Sequence, residues 1–357
     1  MKKVCRGCQM GKYMFIGPVR NSAVKSGPEL VLTELHKNFR VSNEKVWLVS
    51  TAIQDSVAVF ALLKAIAFLI VSRGVRVNVH SSGLIIPLFF ALWGRVDFKN
   101  DYFLTMHGVT AMDADRATGV NLLLERLLVV IFPSVICVSN LQKSALSKLF
   151  NRKRNVFVIH NGVEECVKYV GGGFKPGGVI RVISAAGFSV NKLTKQQISM
   201  VKAINSGGKR KILLDIYGGG SDAHFLSEFK ERESAYNTEG IYYRGLVDTN
   251  ELLKKYEQYD FCLCISKWET FNQTALQAMR AGTPAIVCRT VGAVELISNG
   301  ESGFVVDIDC LAKSMDEIMV IDSARYSKMA KQAHRIAGKQ RWENVAKKYE
   351  EVMDFKV

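Results

Sequence analysis

Glu269 is the residue best placed to act on a ligand. It stands in Ser266-Lys267-Trp268-Glu269-Thr270-Phe271-Asn272-Gln273-Thr274, after the alternating Tyr259, Phe261, Leu263 and Ile265. That alternation predicts a buried strand, and the residues after the loop predict a helix over 273–281. The carboxylate therefore falls in a loop at the carboxyl end of a strand. In open α/β sheets this edge is where ligands bind, and a helix start beside it offers unpaired N–H groups and a positive dipole end to a phosphate. A phosphorylated small molecule is the expected ligand.

A second phosphate-compatible feature lies upstream. Lys211 to Tyr217 reads as a buried strand ending in Gly218-Gly219-Gly220-Ser221, a turn that lets a nucleotide approach the backbone, or simply a tight turn. Val75 to His80 and Tyr102 to His107 each read as a short strand ending in a histidine. Either imidazole could serve a ligand or only hydrogen-bond nearby backbone.

The Ser-x-x-Glu-x-Phe loop, the polar residue eight positions after the Glu, Ala-Met-x-Ala-Gly-Thr-Pro and Gly-x-x-Glu-Leu-Ile-x-x-Gly-x-x-Gly-Phe together resemble the donor half of glycosyltransferase family 4. The resemblance implies a GT-B fold: α/β, with two Rossmann-like domains facing each other across a cleft and a C-terminal helix crossing back to the first. It also implies two glutamates separated by seven residues, the first touching the donor sugar and the second the nucleotide ribose. Glu269 holds the first position and Gln277 the second. A glutamine can still accept and donate there, without the charge-assisted bonds of a carboxylate. The alternative for Gln277 is a helix-surface residue with no ligand.

Further roles follow from the same resemblance. His107, in Thr105-Met106-His107-Gly108, would line the cleft where acceptor and donor sugar meet and act with Glu269 in catalysis. Donor binding would fall to Gly27, Lys192, Lys195, Gly218, Gly219, Arg244, Phe271, Asn272, Gln273, Thr274 and Gln277. Where the family has an arginine after Gly187 this sequence has Phe188, and Lys192 and Lys195 both lie near the family's diphosphate lysine. Glu295 resembles the family's glutamate after Gly-Gly, with Ala293 in place of the second glycine. The family retains anomeric configuration and uses neither metal nor cofactor beyond its nucleotide-sugar substrate.

The elements that would position these residues read as strand, loop and helix units. With 357 residues, 48% of them apolar, the chain can build two cores. Tyr13 to Pro18 predicts the first strand, Asn21 to Pro28 a polar loop, and Glu29 to Phe39 a helix. Asn140 to Leu149 predicts a helix capped by Ser139 or Asn140. The glycines of Gly171-Gly172-Gly173 and Pro176-Gly177-Gly178 place a linker over 164–178. The domains expected are residues 1–165, residues 166–340, and a terminal helix over 341–357 bracing the first domain.

The runs Ser56 to Val71 and Leu84 to Trp93 are apolar, but Lys64 interrupts one and the other is too short to span a bilayer. Buried helices beside a parallel sheet are expected there. The amino terminus shows no apolar core of signal-peptide length, so a cytoplasmic protein is expected. Cys5 and Cys8 form a lone Cys-x-x-Cys, and all eight cysteines are read as reduced and structural.

Net charge is +15, and residues 1–165 hold 21 Lys plus Arg against 11 Asp plus Glu. A basic first domain suits contact with an anionic membrane at the inner face of the plasma membrane, or with a polyanionic acceptor. It also suits nucleic acid, but no nucleic-acid module is recognisable.

The expected function is therefore a retaining transferase moving a sugar from a nucleotide-sugar to a glycan or lipid-linked glycan in surface polysaccharide assembly. Two alternatives remain: a degenerate protein that binds nucleotide-sugar or a partner without turnover, and a nucleotide-sugar epimerase.

Overall fold

The structure is a computed structural model. It describes residues 13–19, 27–39, 46–51, 56–81, 85–109, 112, 119–164, 174, 178–207, 210–220 and 222–354. The Cys5/Cys8 pair, the polar loop over 21–26, Ser221 and the glycines at 171–173 and 177 lie outside them. Two compact units emerge: Met1–Gly162 with Trp342–Val357, and Val163–Arg341.

The first unit is built on six parallel strands, β1 (Tyr13–Gly17), β2 (Val46–Ser50), β3 (Arg76–Ser81), β4 (Asp101–Met106), β5 (Ser134–Cys137) and β6 (Val156–Val158). Their order is β2-β1-β3-β4-β5-β6. Central strands such as β1 are buried at every position, as a sheet covered on both faces requires. Five helices connect them: α1 (Gly27–Asn38), α2 (Ser56–Val71), α3 (Ile85–Val96), α4 (Gly119–Ile131) and α5 (Asn140–Phe150). Right-handed crossovers put α2, α3, α4 and α5 side by side on one face, and α1 on the other. Ser139, rather than Asn140, caps α5, accepting from Gln142 N.

The second unit repeats the plan with β7 (Ile180–Ser184), β8 (Ile212–Tyr217), β9 (Ile241–Gly245), β10 (Phe261–Cys264), β11 (Ala285–Cys288) and β12 (Gly303–Val306). These are again parallel, in the order β12-β11-β10-β7-β8-β9. Its helices are α6 (Thr194–Gly207), α7 (Ala223–Glu231), α8 (Glu233–Thr238), α9 (Thr249–Tyr256), α10 (Gln273–Ala281), α11 (Leu311–Ser314), α12 (Asp316–Met319) and α13 (Ser323–Gly338). Gly292–Leu296 is a single 3-10 turn.

The last helix, α14 (Trp342–Asp354), returns to the first unit and packs on α1. Trp342, Val345, Tyr349 and Met353, spaced by three or four residues, enter a core with Tyr13, Phe15, Val31 and Leu35. Arg76 fixes its end, donating to Met353 O at 2.7 Å and pairing with Asp354 at 3.0 Å. Gly162 makes room for the Trp342 indole, since a Cβ there would come within 2.4 Å of the ring. The terminal helix is thus part of the first unit's core.

One expectation is corrected. The apolar helices α2 and α3 are buried on one face only, through Ala65, Phe68 and Leu69 and through Pro87, Phe90 and Ala91. Phe60, Leu63, Ile85 and Leu92 on their outer faces are more than half exposed. A continuous apolar run does not reveal which of its faces is covered. Because Trp342 is 3% exposed and central to the α14 contact, Trp342→Ala is expected to cost about 3–5 kcal/mol in chemical denaturation of the whole chain.

Candidate functional site

In the second sheet, β8 and β9 lie to one side of β7, and β10, β11 and β12 to the other. The chain's direction across the sheet reverses between β7 and β10, so the connections from their carboxyl ends diverge and leave a crevice. Glu269 sits at this point. Its backbone is fixed on the loop after β11: Glu269 N donates to Thr290 O at 3.0 Å, and Gly292 N donates to Glu269 O at 2.9 Å. Thr290 Oγ1 adds a bond to Ser266 O at 2.6 Å.

Three donors converge on one carboxylate oxygen. Lys192 Nζ forms an ion pair with Glu269 Oε2, Ser266 Oγ donates to it at 3.2 Å and Asn272 Nδ2 at 3.1 Å. Oε1 receives no donor from the described residues. The Glu269 side chain is 24% exposed, so its second oxygen can accept from a hydroxyl of a ligand.

Two residues hold this cluster through backbone conformations that side chains rarely adopt. Asn272, at φ 85°, caps α10 by accepting from Ala275 N at 2.9 Å while its amide holds Glu269. Leu193, at φ 54°, follows Lys192 and turns the chain into α6. Asn191 joins the two loops: its carbonyl accepts from Lys267 N at 2.8 Å and its side chain donates to Trp268 O at 3.1 Å. Sequence reasoning missed Asn191 and Ser266. The only signal for Ser266 was its place three residues before the glutamate, and Asn191 had none.

Gly187, at φ 61°, lies so close to the β8 turn that a Cβ would come within 1.7 Å of Gly219 O. Gly187 N donates to Tyr217 O at 2.8 Å, Phe188 N to Gly219 O at 2.9 Å, and Gly218, at φ 118°, donates to Gly245 O at 2.9 Å. The glycines of both turns thus serve backbone-to-backbone contact beside the crevice. Phe188 is fully buried against the rings of Phe225, Phe229 and Tyr243, so its side chain serves the core.

The remaining expected donor-binding residues divide. Phe271, Asn272 and Gln277 are buried, and Gln273 and Thr274 partly so. Gln273 and Gln277 are four apart on α10 and share a face. Lys195 is held over the Phe225 ring at 4.6 Å, while it is Lys192 that reaches Glu269. Arg244 pairs with Asp215 at 3.0 Å and lies over Tyr242. Gly27 is the exposed first residue of α1 in the first unit.

In the first unit His80 and His107, at the carboxyl ends of β3 and β4, stack with ring centroids 5.1 Å apart. His80 Nδ1 and His107 Nε2 are 2.9 Å apart, a bond that needs one donor and one acceptor. Burial pushes the His107 pKa down to about 4, and burial together with the neighbouring His107 holds His80 well below its ordinary value. Both rings are therefore neutral at pH 7, and His80 orients His107.

Residues 181–320 match the model of the family described as Glycosyl transferases group 1. The second unit is a group 1 glycosyltransferase domain. Over 138 residues, 38% of the chain, the sequence is 26% identical to a GDP-mannose-dependent alpha-mannosyltransferase of Corynebacterium glutamicum. That match spans 32% of the relative's length, so the chain covers about a third or less of the curated relatives it matches. Sucrose-phosphate synthase from Thermosynechococcus elongatus superposes with a TM-score of 0.75 at 15% identity, covering 96% of this chain and 98% of that one. HepE of Anabaena, solved with UDP-glucose, gives a TM-score of 0.71 at 14% identity over 96% and 99%. At this identity the likeness is one of fold, and the fold of this glycosyltransferase-domain protein is GT-B.

The histidine pair generates a pH prediction. A histidine whose pKa is lower folded than unfolded makes the unfolded chain bind more protons between pH 6.5 and 4, so stability falls as pH drops through that window. For His107 the loss should reach about 3 kcal/mol at about 1.4 kcal/mol per unit. Thermal unfolding across this range should show the decline, and His107→Gln should make it shallower, leaving the part due to buried His80.

Proposed function

We propose that the protein is a retaining glycosyltransferase that moves a sugar from a nucleotide-sugar to a hydroxyl of a glycan, carried on a lipid, in surface polysaccharide assembly. The observation that carries this reading is Glu269: a carboxylate with one oxygen held by three donors and the other open, at the reversal point of the second sheet. Such a group can orient a sugar through its hydroxyls. The GDP-mannose dependence of one relative and the UDP-glucose bound to HepE support a nucleotide-sugar donor.

In the reaction the bond from the anomeric carbon to the diphosphate oxygen breaks and a bond to the acceptor oxygen forms on the same face. The acceptor's proton leaves with the nucleoside diphosphate. Lys192 takes the charge role at the diphosphate, shared with the backbone N–H of Gly219, since no arginine follows Gly187 and the N–H groups of Gly187 and Gly218 are held by Tyr217 O and Gly245 O. Lys195 and Arg244 are secondary contacts, and the residues of α10 from Gln273 to Gln277 meet the nucleotide, with Gln277 at the ribose. The second unit is the donor-binding domain and the first the acceptor-binding domain. In the first, the roles proposed are donor-phosphate contact for Gly27, at the start of α1, and donation to a sugar hydroxyl for neutral His107. Neither metal nor nucleic acid enters this reading. The basic character of residues 1–165 supports work at the inner face of an anionic plasma membrane. Among the described residues no helix is long and apolar enough to cross a membrane.

The test is nucleotide release from a panel of UDP-, GDP- and ADP-sugars, with and without membrane lipid extract. Lipid-dependent release from one donor is expected, falling by about 100-fold or more in Glu269→Ala and by about 10-fold or more in Lys192→Ala. Donor binding with no release under any condition would favour a binding protein, and conversion of the donor without acceptor an epimerase.

A further inference from the structure

We propose that the outward face of α2, α3 and α4 is an interfacial docking surface for a bilayer containing anionic lipid. The three helices lie side by side on one face of the first sheet, and α3 and α4 are in contact. Each turns an apolar stripe outward at helical spacing: Phe60 and Leu63 on α2, Phe89 and Leu92 on α3, Leu123 and Leu127 on α4. These six are between 38% and 60% exposed, and Phe98, in the loop after α3, is 90% exposed. Apolar side chains in such number across adjacent helices exceed the scattered singles of an ordinary surface.

The charges on the same face select the occupant. Lys64, Arg95 and Arg126 are exposed on the three helices, and Lys99 follows Phe98. The only carboxylate on α2, α3 or α4 is Glu125, and it is 3% exposed. Arg95 lies close enough to Arg152 for their charges to repel, so basic groups gather where α3 and α4 end. An apolar face with a basic complement and no exposed acid on its three helices fits helices lying in a lipid interface. Each basic side chain near an anionic surface strengthens binding about fivefold. A protein partner would need an apolar and acidic surface of its own, and a second copy would bring the same basic groups face to face.

The proposal deepens the lipid-linked part of the function above, but its test involves no turnover, so the two readings fail separately. The full chain is sedimented with vesicles of phosphatidylcholine alone and of phosphatidylcholine with phosphatidylglycerol at two to one. Binding is expected to the mixed vesicles, about tenfold or more above the neutral ones. Phe60→Ser with Leu92→Ser should weaken it about tenfold, and Arg95→Glu with Arg126→Glu should abolish the preference for anionic lipid. Val320→Ser, on the second unit and 78% exposed, should leave binding unchanged. Thermal unfolding of each variant checks that it is folded. Absence of vesicle binding would overturn the proposal, as would binding insensitive to the serine pair. So would a concentration-dependent dimer that the serine pair converts to monomer, which would make a second copy the occupant.

Discussion

The geometry around Glu269 depends on one topological constraint: the second sheet reverses direction between β7 and β10. With parallel strands and right-handed crossovers, no connecting segment crosses the gap at that edge. The loops after β7, β10 and β11 must therefore hold one another. They do so mostly through backbone groups and small polar side chains, with Asn191, Ser266, Thr290 and Asn272 each spanning between segments or securing the carboxylate. A cluster held in this way can tolerate two non-glycine residues at positive φ. The cost of order 1 kcal/mol or more for each is borne by the surrounding bonds.

The same loops explain Phe188. Its backbone keeps the contact expected at a nucleotide-binding turn, with its N–H on Gly219 O, while its side chain fills the space among Phe225, Phe229 and Tyr243. Where the resembled family carries an arginine, this chain places a core side chain. The positive charge at the crevice then falls to Lys192, because Lys195, in the first turn of α6, lies over the Phe225 ring.

The strands and most helices were legible because buried parallel strands are written as short apolar runs closed by glycine, proline or polar residues, as in β1, β8 and β10. Glu269 was legible for a related reason: a lone carboxylate after such a run, before a helix, has little structural use. Asn191 was not, since its work is done by backbone and amide bonds that any loop asparagine could make. The choice between Lys192 and Lys195 depends on Leu193 taking a left-handed conformation that leucine seldom adopts, so spacing alone left both open. The pairing of His80 with His107 required the register of β3 against β4, where His80 lies opposite Thr105. The exposure of α2 and α3 was hidden by composition, because both faces of those helices are apolar.

The Lys192–Glu269 pair carries a last consequence. Both side chains are about a quarter exposed, at 28% and 24%, and a pair at such a site contributes about 1 kcal/mol or less to stability. It is therefore a poor candidate for holding the domain together and a good one for rearranging. A diphosphate brings more negative charge than one carboxylate and competes for the same ammonium. The placement of Glu269 is already met before a ligand arrives, which lowers the cost of binding. In the proposed reaction Ser266 and Asn272 would remain on Oε2 when the lysine turned to the phosphates, so the carboxylate would keep its orientation without its counter-ion.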